Sequence, residues 1–193
     1  LTFSMLYAWN EHYILPFSHD ENVHGKATIV QKMYGDYEGK FPQARALYLY
    51  MMVHPGKKLD FMGNEFAQLR EWDEGREQDW MVLAYPNHDA FRHFRKALHH
   101  AYLHNEALWS REYDPEAFCW LDCDHPESNA CAILRQGQQS SVVAVFHFGD
   151  EPLQDYPLTV PAGQLTLLLD SDWQCWGGTT PWGKESYTLA QEE

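Results

Sequence analysis

Near the start of the chain, a short apolar run gives way abruptly to polar side chains. Residues 13–17 are apolar, and from Ser18 onward two histidines and two carboxylates follow within six residues. This pattern predicts a buried strand that delivers polar side chains to a cleft at its carboxyl end, as the parallel strands of α/β enzymes do. A solvated loop is the alternative, but residues 19–24 are dense in hydrogen-bonding side chains and contain none of the usual serine, glycine and proline of such loops.

A helix and a second strand are predicted next. Apolar residues recur at helical spacing over residues 41–54, with Pro42 in the first turn and Pro55-Gly56 ending the helix. Residues 58–62 have the pattern of a strand. Because strand, helix and strand in this order form a βαβ unit, we expect the two strands to be parallel neighbours. We also predict a helix over residues 89–107, the end of an amphipathic helix over 1–9, and long loops over 25–40 and 68–87.

The pattern changes near Tyr113. Five short β-type runs follow, separated by turn residues, at 117–121, 130–134, 142–148, 156–160 and 165–169. Strands at this spacing without helices predict an antiparallel sandwich. Residues 1–112 hold 12 basic and 15 acidic side chains, whereas residues 113–193 hold 2 and 13. We therefore expect two domains, 1–112 and 113–193, and both chain ends look cut from a longer protein.

Composition narrows the classes of function. The net charge is −14, which argues against binding a nucleic-acid backbone, because that binding depends on clustered lysine and arginine. No apolar run reaches about 18 residues, so we expect no membrane span. The four cysteines form no Cys-x-x-Cys pair and follow no secretory signal, which favours reduced thiols in the cytoplasm.

Carboxylates near the two predicted strand ends suggest glycoside chemistry. Retaining hydrolysis or transfer needs two carboxyl groups about 5–5.5 Å apart. Asp20 and Glu21 are adjacent at a strand end and point to opposite sides, so they make a poor pair. Asp20 and Glu65 follow neighbouring parallel strands and form a candidate dyad. His100 and His104 have the spacing of a zinc pair, but no glutamate follows His100, so a surface helix is favoured.

Two segments also resemble a known family. Residues 15–26 read Leu-Pro-Phe-Ser-His-Asp-Glu-Asn-Val-His-Gly-Lys and are similar to the segment after the seventh barrel strand of 1,4-α-glucan branching enzymes, members of the α-amylase family. Residues 61–72, which begin Phe-Met-Gly-Asn-Glu-Phe-Ala-Gln, are similar to the segment after the eighth strand. Asn22 and Leu69 depart from the family pattern. The resemblance implies an α/β plus all-β fold: the last two βα units of a TIM (β/α)8 barrel, then an antiparallel β-sandwich.

The resemblance also implies roles for individual residues. Asp20 matches the third catalytic carboxylate of the family, which grips sugar hydroxyls and stabilises the transition state, and His19 matches the hydrogen-bond donor beside it. The nucleophile and the acid/base follow earlier barrel strands and are absent from this chain, so the candidate dyad is not the family's. No metal or organic cofactor is implied. The substrate-binding candidates are Glu21, His24, Lys26, Asn64, Glu65, Arg70 and Trp72.

The implied reaction cleaves an α-1,4-glucan and transfers the segment to a 6-hydroxyl, which makes an α-1,6 branch in glycogen. The implied partners are the glucan and the missing N-terminal part of the same barrel, and we expect the chain alone to be inactive. Two other interpretations stay open: an α-amylase-type hydrolase or trehalohydrolase fragment, and a non-catalytic glucan-binding module built on the sandwich. Trp173, Trp176 and Trp182 could serve such a module, although packing is the commoner role.

Overall fold

The computed structural model describes residues 2–124, 126–161, 163–183 and 186–189. Two parallel strands and two long helices come first, and antiparallel strands make up the second half. No helix of the described residues has the length and apolar character needed to cross a membrane.

The predicted βαβ unit is confirmed. Strand β1 (Ile14–Phe17) is followed by helix α1 (Tyr37–Val53) and strand β2 (Lys57–Asp60). The two strands pair in parallel, with Ile14 opposite Lys57 and Phe17 opposite Asp60. Helix α1 begins one turn earlier than predicted, because the Asp36 side chain accepts a hydrogen bond from the Gly39 N–H at 2.9 Å and caps its first turn. Pro42 consequently lies inside the helix rather than in its first turn.

The start of the chain differs from the prediction. In place of an amphipathic α-helix, residues Thr2–Leu6 form a short 3₁₀ helix with no buried residue. Phe3 and Leu6 are 71% and 77% exposed, so there is no packed layer against which an apolar helical face could be stabilised.

Helix α2 (Pro86–His104) packs against α1, and the contact forms the first core. Proline at its first position fits the missing N–H there. Aromatic side chains from both helices fill the interface, among them Phe41, Tyr48, Phe91 and Phe94, each at most 3% exposed. The helix covers most of the predicted span, shifted by three residues toward the N-terminus.

The second half contains β3 (Phe118–Asp122), β4 (Ala130–Gln136), β5 (Ser141–His147), β6 (Gly163–Thr166) and β7 (Ser186–Leu189). The first three form an antiparallel sheet in sequence order, and the last two form a separate antiparallel pair. The strand predicted at 156–160 is wrong: the segment belongs to no described strand. Its Pro157 lacks the N–H that a ladder requires, and Pro161 follows directly. Strand β7 was missed by the prediction.

Buried charges join the two halves. The guanidinium of Arg135 on β4 donates to the carbonyl oxygen of Val53 at 2.6 Å, and Arg135 is fully buried. From α1, Arg45 donates to the carbonyl oxygens of Ser171 and Trp176 at 2.6 and 3.0 Å. The domain boundary at 112/113 stays a prediction.

Glu106 fastens the β4–β5 turn to the segment after α2. Its carboxylate accepts hydrogen bonds from the backbone N–H groups of Gln138, Gln139 and Ser140 at 2.9–3.0 Å. The Ser110 hydroxyl also donates to it. The Ser110 bond and the backbone bonds lower the pKa of Glu106 to about 2.

We expect Glu106 to make stability depend on pH in the acid range. Because its folded pKa lies below its unfolded value of 4.5, its contribution is complete above pH 4.5 and is lost as the pH falls toward 2. Glu106→Gln should therefore lower the urea midpoint at pH 7, and the gap to the parent chain should narrow at pH 3. The exposed Glu116→Gln is the control, and a gap of equal size at both pH values would contradict the assignment.

Candidate functional site

The segment after β1 forms a capped 3₁₀ turn, His19–Asn22. The Ser18 hydroxyl oxygen accepts the Asp20 N–H at 3.2 Å, while the Glu21 carboxylate accepts both the N–H and the hydroxyl of Ser18 at 2.8 Å. The hydroxyl bond is the main cause that lowers the pKa of Glu21. This capping box fixes the turn. Glu21 therefore serves the local fold, and the side chains of His19 and Asp20 take no part in the capping bonds.

His19 and Asp20 stand side by side at the surface. His19 Nε2 lies 3.6 Å from Asp20 Oδ1, and the two side chains are 53% and 68% exposed. Backbone contacts fix the turn beneath them: Lys26 Nζ donates to the Asp20 carbonyl oxygen at 2.8 Å. The Asp20 carboxylate is thus directed to solvent at the carboxyl end of a parallel strand, where a substrate could approach it.

Next to this pair lies an open groove of about 950 Å³. The His19 ring is one wall, with its centre 5.9 Å from both the Phe61 and the Trp72 rings, which are themselves 5.3 Å apart. Flat aromatic faces beside polar groups suit the binding of a sugar ring. The groove is lined by His19, Val23, His24, Phe61, Met62, Arg70, Glu71, Trp72, Asp73, Glu74 and Arg76.

Glu71 holds the loop that forms one side of the groove. Its carboxylate accepts the N–H groups of Gly25 and Ala27 at 2.9 and 2.7 Å, and the Gly25 bond is the first cause that lowers its pKa. The loop needs this support because His24 and Ala27 both have positive φ angles, 61° and 64°. The sequence pattern gave no sign of this role, since the partners are backbone groups more than 40 residues away.

Asn22 is the second residue whose importance the sequence did not show. It is 4% exposed, its side chain donates to the Ser18 carbonyl at 2.9 Å, and it accepts the Ile29 N–H at 3.2 Å. The backbone carbonyl oxygen of Asn22 accepts the Trp72 N–H at 2.9 Å, which positions the tryptophan beside His19. Its only signal in the sequence was its departure from the family pattern.

Arg70 lines the groove but is already paired. Its guanidinium binds both oxygens of Asp79 at 3.0–3.1 Å and donates to the Glu77 carbonyl. The carboxylate holds the pKa of Arg70 above its usual value. Asp79 lies nine residues away in a loop whose path the sequence does not reveal.

Asn64 and Glu65 lie behind the groove rather than in its wall. Asn64 is buried, and its side-chain amide donates to Asp60 Oδ1 at 3.0 Å and to the Phe17 carbonyl at 3.4 Å. Glu65 accepts the Gly63 N–H at 2.7 Å. Asp60 is in turn paired with Arg95, which is 1% exposed. This network ties the ends of β1 and β2 together and supports the turn that carries His19 and Asp20.

The structure thus brings four of the predicted residues, His19, His24, Arg70 and Trp72, into one groove, with Asp20 at its edge. The sandwich tryptophans are less available: Trp173 is 4% exposed and the Trp176 indole N–H donates to the Asp170 carbonyl, whereas Trp182 is 62% exposed.

Comparison with known proteins gives a class first. Residues 120–193 match the family model described as the alpha amylase C-terminal all-beta domain. Residues 120–193 are therefore similar to the C-terminal all-beta domain of alpha amylases, and they follow a parallel βαβ unit.

The relatives narrow this class. The chain is 40% identical over 182 residues to a 1,4-alpha-glucan branching enzyme of Thiobacillus denitrificans. The matched region covers 93% of this chain and 25% of the relative. It is 39% identical over 195 residues to the Bacillus cereus (strain Q1) enzyme of the same name, covering 100% and 30%. It is 43% identical over 165 residues to that of Aquifex aeolicus, covering 84% and 26%. The resemblance to branching enzymes is confirmed, and the chain spans 25–30% of the length of these relatives.

Proposed function

We propose that this chain is the C-terminal part of a 1,4-α-glucan branching enzyme. In this proposal it supplies the carboxylate that accepts hydrogen bonds from the sugar hydroxyls at the active site. The observation that carries the proposal is the exposed His19–Asp20 pair at the carboxyl end of β1, beside the aromatic groove of Phe61 and Trp72. Its support is the approximately 40% identity to branching enzymes over nearly the whole chain.

In this proposal β1 and β2 are the last two strands of a TIM barrel. The parallel pairing supports this, as does the exposure of the strand face that carries Ile14 and Leu59, 54% and 41% exposed. The upstream part of the same barrel is then the partner that covers this face and provides the nucleophile and the acid/base. The second domain, residues 113–193, is the C-terminal all-β domain.

The proposed chemistry assigns Asp20 to the transition state. Cleavage of an α-1,4 bond passes through a flattened ring with oxocarbenium character, and hydrogen bonds from the sugar hydroxyls to a carboxylate strengthen as that charge develops. Asp20 is free to accept them, because its carboxylate is exposed and the turn holding it is fixed by other groups. His19 donates to the same hydroxyls, and Trp72 packs against the ring.

The second half-reaction moves the glucan segment to a 6-hydroxyl. The covalent intermediate must be protected from water, otherwise the enzyme becomes a hydrolase. We place Glu21, Lys26, Asn64 and Glu65 as supports of the site, since their contacts are to the loops around it.

All four cysteines are free thiols in the structure, which supports a cytoplasmic location.

A chimera tests the proposal. The matching C-terminal part of the Aquifex aeolicus branching enzyme is replaced by this chain, and α-1,6 linkages formed on amylose are counted by NMR. We expect the chimera to branch amylose. A folded chimera that only hydrolyses amylose would contradict the assignment and favour the hydrolase alternative.

The chain by itself is expected to form no branches, since the proposal places two of the three catalytic carboxylates outside it. The purified 193-residue chain is incubated with amylose under the conditions of the chimera assay, and the α-1,6 signal should stay at the level of a protein-free blank. Branch formation by the chain alone would show that its own residues, such as Asp20 and Glu65, complete the chemistry.

A further inference from the structure

A second groove of about 500 Å³ lies between α2 and residues 168–176. The helix side is formed by His93, Lys96, His100 and His104, all exposed, and the opposite side by apolar residues. The proposed branching chemistry does not use it. Its apolar lining residues are Leu168, Leu169, Trp173 and Trp176.

Two of its histidines are held as a pair. His100 and His104 are four residues apart and lie on one face of α2, with their rings stacked at a centre-to-centre distance of 5.6 Å and an angle of 14°. Two imidazoles bound to one zinc ion at about 2.0–2.1 Å have ring centres roughly 5 Å apart. The observed separation of the two ring centres is therefore close to that of a chelating pair.

The tautomer of His104 is also suitable. Its Nδ1 lies 2.8 Å from the His100 carbonyl oxygen. Because a carbonyl only accepts, Nδ1 carries the proton and the lone pair is left on Nε2. Histidines that bind metals have this arrangement, with one ring nitrogen donating to a carbonyl or carboxylate while the other binds the ion.

We propose that His100 and His104 form a binding site for a borderline divalent metal ion such as Zn²⁺, Ni²⁺ or Cu²⁺. Among the described residues, those that line the groove include no carboxylate, so Mg²⁺ and Ca²⁺, which prefer oxygen ligands, are disfavoured. Over the described part of the chain, no group of three or more His, Cys, Asp or Glu could hold a metal. The site is thus a two-imidazole chelate whose remaining positions face the groove and take water or a ligand there.

Such an ion joins two successive turns at the carboxyl end of α2. A metal that binds the folded chain stabilises it in proportion to its concentration over its dissociation constant. Protons compete for the same nitrogens, and the other titratable groups that line the groove are His93 and Lys96. His93 is two turns before His100, and its Nδ1 faces the Asp89 carbonyl, so it belongs to a separate contact.

Calorimetric titration of the purified chain with Ni²⁺ and with Zn²⁺ at pH 7.5 tests the site. We expect His100→Gln and His104→Gln each to weaken binding by about tenfold or more. His93→Gln, on the same helix face, is the matched control and should bind like the parent. Equal affinity in the parent and both variants, or no saturable binding in the parent, would overturn the proposal.

Thermal unfolding separates the site from a folding defect. The parent should gain in melting temperature when Zn²⁺ is added, and the two variants should lose that gain while unfolding as the parent does without metal. Because branching is not measured, failure of this site leaves the proposed glucan chemistry untouched.

Discussion

Replacement of Asp20 by asparagine is expected to lower the branching rate of the chimera by about 10³-fold, the effect of removing one group that stabilises charge in the transition state. The loss should fall on kcat more than on KM, because the bonds to the sugar hydroxyls strengthen as the ring flattens. Asparagine keeps the size of the side chain and removes the negative charge. The measurement is the initial rate of α-1,6 linkage formation on amylose at several amylose concentrations.

The fold should be unaffected by this change. The Asp20 side chain is 68% exposed, and the capping bonds of the turn involve Ser18, Glu21 and the backbone of residue 20. A surface substitution of this kind shifts stability by about 0.5 kcal/mol or less. The matched control is Asp73→Asn, which removes a carboxylate charge from the groove beside Asp20 and should branch at nearly the parent rate. Similar losses in both variants would indicate an effect of groove charge rather than a specific role of Asp20.

The second large effect is expected in stability, on replacing Glu112 by alanine. The Glu112 side chain is 2% exposed and accepts hydrogen bonds from the Gly56 N–H at 2.7 Å, Lys58 Nζ at 3.2 Å and the Tyr102 hydroxyl at 3.3 Å. Arg135 Nη2 lies 3.9 Å from Glu112 Oε1. Burial already lowers the pKa of Lys58 to about 8, so this ammonium depends on its carboxylate partner.

Removal of Glu112 leaves two buried cations, Lys58 and Arg135, without their shared anion. Breaking a buried ion pair on one side costs about 3–5 kcal/mol, and we expect the free energy of unfolding to fall by that amount. Urea unfolding at pH 7 measures it. Glu112→Gln, which keeps an acceptor for the Gly56 N–H, should lose less, and the exposed Glu116→Ala should change stability by no more than about 0.5 kcal/mol. A loss below about 1 kcal/mol in Glu112→Ala would show that water or the backbone already satisfies Lys58 and Arg135.

The local elements of this fold could be predicted from the sequence, because each has a local cause. The β1–α1–β2 unit follows from apolar periodicity and the Pro55-Gly56 break, and its parallel pairing follows from the order of its elements. The failures also have local causes: the proline-bounded segment 156–160 forms no strand, and Asp36 starts α1 early.

The contacts that build the site are of another kind. These contacts depend on where distant or irregular segments of the chain meet. They are the contacts of Glu71 with residues 25 and 27, of Asp60 with Arg95, and of Arg70 with Asp79. Nothing in a one-dimensional pattern specifies such meetings. His19 and Asp20 could be found because a strand ends just before them, and Trp72 was a candidate from the sequence, whereas the contribution of Phe61 to the aromatic wall needed the geometry.

The second hydrophobic core crosses the proposed boundary at residue 112. Val53 from α1 and Leu108 from the connecting segment pack with Cys131, Ile133 and Phe146 of the sheet. A fusion protein that received residues 113–193 alone would therefore lack Val53 and Leu108, which fill part of the core beneath this sheet. Recombination between relatives should preserve function more often with crossovers upstream of α1 than with crossovers at the proposed boundary at residue 112.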